Sequence, residues 1–153
     1  MDSILAALGS SDLATFIRGS RWALPAIGAA HILGIALILG TILVLDARIL
    51  GARRSVPLSQ VAHALIPFTI AGLVLTVVAG IGLLSVKPHD LAANPLFQLK
   101  MALLAMALVN ATMLRRRAIH MAEATPILRI GAVASLVLWT GILVCGQFVA
   151  TVG

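Results

Sequence analysis

The chain has 153 residues, 61% of them hydrophobic and 10% charged, with a formal net charge of +6. A water-soluble domain of this size could not cover its surface with so few polar groups, so composition excludes one and indicates an integral membrane protein. The cations stand in short clusters between apolar runs and not along an aromatic-studded face, which argues against nucleic acid and makes the lipid bilayer the expected partner.

Residues 1–20 lack the basic start and small-residue cleavage site of a signal peptide. Leu5, Leu8, Leu13, Phe16 and Ile17 alternate there with Asp2, Asp12 and Arg18. The pattern predicts one or two short interfacial helices, with Asp12 capping the second. A first span follows over residues 22–45, uncharged between Arg21 and Asp46, with Pro25 tolerated in its first turn. Asp46, Arg48, Arg53 and Arg54 end it.

The second span covers 57–86, with Pro67 as a kink and Gly72, Gly80 and Gly82 as packing points. Lys87, His89 and Asp90 close it, and Asn94-Pro95 opens the third span, 95–114, with a cap and a proline at the first helical position. That span carries Lys100 and Asn110 and stops at Arg115-Arg116-Arg117. The fourth covers 127–150 and contains Trp139, the single cysteine Cys145, and Gln147. One cysteine forms no internal disulfide, and within an apolar helix it reads as a small hydrophobe.

The prediction is therefore an all-α, up-down-up-down four-helix bundle in lipid, one domain over residues 1–153, preceded by a short interfacial segment. Arginines concentrate in the first and third loops, so both termini are expected on the outer, non-cytoplasmic side. Asp46, Arg48 and the Arg115 run are expected to anchor the inner interface.

His31 is the residue on which function is expected to turn. It lies about 14 Å into the first span, where an imidazole is expensive to bury and marks a functional site by default. Gly28 and Gly34 flank it and leave room for another backbone or for a flat ligand. Lys100 lies about 8 Å below the same boundary, within reach through its flexible stem, and Gln147 reaches that half as well. Plainer readings stand beside these. His31 could bond a hydroxyl or carbonyl of a neighbouring helix, Lys100 could snorkel to headgroups, and Gln147 and Asn110 could join helices.

No His-x-x-x-His pair, phosphate loop or nucleophile beside a base occurs. What remains is one imidazole among glycines inside a helical bundle. The cofactor that suits one axial nitrogen and a flat apolar slot is haem, with His31 as the iron ligand and Gly34, Lys100 and Gln147 around it. Two other readings are a path for a small solute, proton or copper ion, and an accessory subunit of a larger membrane complex.

Several stretches carry a resemblance: Trp22 with Pro25, residues 31–37 (HILGIAL), residues 46–51 (DARILG), Asn94-Pro95-Leu96-Phe97 through Lys100-Met101, and residues 138–141 (LWTG). Over nearly its full length the chain resembles an uncharacterised family of small bacterial membrane proteins, a domain of unknown function. More distantly it is similar to HemJ-type protoporphyrinogen oxidases and to the membrane domain of copper-resistance D proteins. The HemJ likeness implies haem b and functional roles for a first-span histidine and a third-span lysine, matched by His31 and Lys100. The Tyr-His ending of that family's third span is absent, Asn110 and Ala111 standing there. The resemblances imply a bacterial inner membrane protein with a membrane redox partner or a second copy of itself.

Overall fold

A computed structural model describes residues 2–52 and 55–152. Among these it contains seven helices: α1 (Asp2–Gly9), α2 (Asp12–Gly19), α3 (Ala23–Leu50), α4 (Leu58–Val86), α5 (Pro88–Ala93), α6 (Pro95–Ala118) and α7 (Pro126–Val152). The protein is all-α, and α3, α4, α6 and α7 are long and apolar enough to cross a membrane. It is a multi-pass membrane protein. An apolar run in lipid has no water to bond its amides, so it satisfies them internally as helix.

The four spans are arranged as two antiparallel hairpins. α3 packs along α4, α6 along α7, and the hairpins join chiefly through α3 against α7; α6 meets α4 at few points. α3 runs on to Leu50 and α6 to Ala118, each about a turn beyond the expected end; Arg48 and Ile49 of α3 and Ala118 of α6 are buried there. Pro67 lies inside a continuous α4. Large apolar side chains point outward all round, among them Ile32, Val78, Val109 and Val137, as lipid rather than water surrounds the spans.

At the end carrying the termini, α2 docks on α4 and α1 on α5. Ser11, not Asp12, caps α2: its side chain accepts from the Ala14 amide at 3.2 Å, and Asp12 becomes the first helical residue. Ile17 is buried against Gly82 of α4. The Arg18 guanidinium donates to the Gly9, Ser85 and Val86 carbonyls, the last two at the C-terminal end of α4, where carbonyls lack partners within the helix.

Asn94 caps α6, its Oδ1 accepting from the Leu96 and Phe97 amides at 2.9 and 3.4 Å. Asn94→Ala is expected to cost about 1 kcal/mol, the usual worth of such a cap, read as a shift in detergent unfolding.

At the opposite end Asp46 and Arg48 do not behave as headgroup anchors. Asp46 and Arg48 are only 2% and 3% exposed. Arg48 donates to the Val56 carbonyl at 2.7 Å and the Ala122 carbonyl at 3.4 Å, and pairs with Glu123 at 3.6 Å. The side chain thus ties the α3–α4 connection to the α6–α7 connection. Arg53 and Arg54, counted in the orientation argument, lie outside the described residues.

Candidate functional site

His31 is held by α4. Its Nδ1 lies 2.9 Å from the Thr76 carbonyl oxygen, which only accepts, so Nδ1 carries the proton and donates. The expected plain bond to a neighbouring carbonyl is therefore present. Its consequence is a fixed tautomer: in the neutral ring Nε2 keeps its lone pair, and it has no hydrogen-bond partner among the described residues.

α4 approaches closely enough for this because both helices carry glycine at their crossing. A β-carbon on Gly34 would lie 2.7 Å from the Thr76 amide nitrogen and 2.9 Å from the Gly72 carbonyl oxygen. One on Gly72 would lie 2.9 Å from the Gly34 carbonyl oxygen. Higher up, one on Gly80 would meet the His31 ring at 3.2 Å. Of the two glycines flanking His31, Gly34 is thus closed by the α4 backbone, while Gly28 has open space within 4 Å. Gly34 positions the histidine through helix packing and offers no slot for a ligand.

Lys100 reaches the same level from the other hairpin. It is half-buried, its Nζ lying 3.5 Å from where Gly146 would carry a β-carbon. No carboxylate lies within 4 Å of it among the described residues, where the ion pair is Arg48 with Glu123. Gln147 does not join this group. One residue past Gly146 the helix has turned through about 100°, and the side chain is exposed. Asn110 does join helices, donating to the Gly131 carbonyl at 3.0 Å.

A second polar set lies deeper, toward the arginine-rich end. Arg115 Nη2 is 2.6 Å from Thr69 Oγ1, which is 2.6 Å from Thr41 Oγ1, which donates to the Ile38 carbonyl at 2.8 Å. Elsewhere in the bundle Asp46 and Ser135 are buried, and Trp139 Nε1 is buried without a hydrogen-bond partner among the described residues. Sequence reasoning had placed Arg115 and Asp46 at the interface. A signal was available for Arg115: Lys100, Leu104, Leu108, Ala111 and Arg115 recur at helical spacing, and all five are half-buried.

Among the described residues no three His, Cys, Asp or Glu side chains converge. The polar chemistry of the bundle is that of an imidazole with one open nitrogen and of two half-buried cations, Lys100 and Arg115, with no carboxylate within 4 Å among the described residues. Comparison with known protein families, with curated proteins and with solved structures finds no match.

Proposed function

We propose that this is a bacterial inner-membrane haem b protein in a redox role, with His31 Nε2 as the protein ligand to iron and Lys100 pairing with a propionate. The observation that carries this reading is the Nδ1–H of His31 donated to the Thr76 carbonyl. Second-shell bonds of this kind fix the tautomer of ligating histidines and raise the basicity of the other nitrogen. The donor set fits haem better than a bare ion, which needs several protein ligands together where one imidazole is present. When bound, haem supplies one-electron chemistry.

The chain's own residues do the rest. Thr76 orients the ring, the Gly34–Gly72 crossing fixes where Thr76 stands, and Lys100 offers an intramembrane positive charge with no carboxylate within 4 Å among the described residues. The surrounding apolar side chains keep the site dry. Its electron partner would lie in the membrane, and both termini would lie on the periplasmic side.

Absorption spectra of the detergent-purified protein, oxidised and dithionite-reduced, test the reading. A Soret peak and reduced α-band are expected in the native protein and absent from His31→Ala. His31→Gly given imidazole should recover the Soret peak, which separates ligand loss from misfolding. Lys100→Met is expected to keep the band but lose haem about tenfold more readily, one charge-assisted bond being removed. Colourless native protein after expression with added haem would discard the assignment.

A further inference from the structure

Arg115 has an unusual direction for a cation near a helix end. Its Cα is three residues from the end of α6, yet its guanidinium meets Thr69, which is eleven residues into α4 from the same end of the bundle. The side chain therefore extends toward the middle of the membrane, the reverse of snorkelling. Cβ bonds lean toward the helix N-terminus, which for α6 is the far end, and Thr69 catches the head group there. Arg116 and Arg117 are exposed.

Each hydroxyl has one proton: Thr69 accepts from Arg115 and has two acceptors in reach, Thr41 Oγ1 at 2.6 Å and the Leu65 carbonyl of its own helix at 3.0 Å, while Thr41 lies 2.8 Å from the Ile38 carbonyl. A guanidinium does not release its proton and a carbonyl does not keep one, so this is no proton wire. It is a brace for a charge. One terminal N–H of the guanidinium is used on Thr69, and no carboxylate stands within 4 Å of the head group among the described residues. The brace spans the α4–α6 seam, where the two hairpins meet least closely.

A positive charge held within a bundle in lipid, with most of its fork unspent and no carboxylate within 4 Å among the described residues, calls for an anion from outside. We propose that Arg115, braced by Thr69 and Thr41, is a binding site for a phosphate-type oxyanion at the α4–α6 seam. Such a group takes two parallel N–H bonds from the fork, and Arg116 and Arg117 raise its local concentration. This site is separate from His31 and does not depend on haem. The oxyanion comes either from an anionic lipid headgroup or from free phosphate.

The experiment compares the resistance to SDS unfolding of the full chain in three settings: phosphatidylcholine nanodiscs, the same with phosphatidylglycerol, and detergent with added inorganic phosphate. Native protein is expected to gain stability with phosphatidylglycerol or with phosphate, and the arm that responds names the source. Arg115→Gln should raise the half-saturating concentration at least about tenfold, while Arg116→Gln, which removes the same net charge from an exposed position, changes it less than about twofold. Thr69→Val keeps the charge but removes the brace, and should weaken binding in the same arm even if Arg115→Gln fails to fold. Equal responses of Arg115→Gln and Arg116→Gln would reduce the effect to surface charge, and no response of the native protein in either arm would overturn the site.

Discussion

Gly34→Ala and Gly72→Ala are each expected to destabilise the protein by about 2–3 kcal/mol, while Gly28→Ala and Gly40→Ala leave it unchanged or raise stability by up to about 1 kcal/mol. All four replace the same hydrogen with the same methyl in membrane-spanning helices. The difference lies in what the methyl meets. At Gly34 and Gly72 it would press on backbone atoms of the facing helix at 2.7–3.0 Å, and backbone cannot swing away as a side chain can. At Gly28 and Gly40 nothing stands within 4 Å, so only the better helix propensity of alanine is left to act. SDS unfolding of the four variants in one detergent decides the matter, and equal effects at all four positions would refute the crossing. The pair Gly34→Ala with Gly72→Ala should be less than additive, since the first methyl already separates the helices. The crossing also sets the Thr76 carbonyl opposite His31. Gly34→Ala should therefore move the Soret band of any haem-loaded protein, an effect that Gly40→Ala cannot have.

Arg48→Met is expected to cost about 2–4 kcal/mol, against less than about 0.5 kcal/mol for Glu123→Gln, although the two residues form one ion pair. Arg48 is buried and its partner is 71% exposed, so the charge of Glu123 is largely screened by solvent. Arg48 itself is buried and ties the α3–α4 connection to the α6–α7 connection through its bonds to the Val56 carbonyl at 2.7 Å and the Ala122 carbonyl at 3.4 Å, so its replacement removes several bonds at once. The Ala122 carbonyl suffers less, because it also accepts from the Leu58 amide at 3.0 Å. Unfolding in SDS reads the difference, and comparable losses in both variants would show the ion pair itself to be the stabilising element.

Much of this protein was legible along the chain. Apolar runs long enough to cross a bilayer, one of them carrying Lys100, marked four spans, because a backbone in lipid has helix as its one way to satisfy its amides within a single segment. The Asn94-Pro95 cap was equally plain, since cap chemistry is local in sequence. His31 and Lys100 could be matched in level by counting residues, as helix rise is constant. Direction and rotation could not be obtained that way. Whether Gln147 faced Lys100 or lipid, whether Gly34 opened to a ligand or to α4, and whether Arg115 pointed out to headgroups or in to Thr69 all depend on how each helix turns about its own axis. In a chain apolar on every face, the hydrophobic pattern that orients a water-soluble helix carries little of that information. Small-residue crossings and hydrogen bonds between helices decide it instead, and those are formed by residues far apart in sequence. The sequence by itself determined that the chain crosses a membrane four times with a histidine inside; the packing of α4 on α3 and the brace on Arg115 decided which nitrogen of that histidine, and which of the cations, are left open to a ligand.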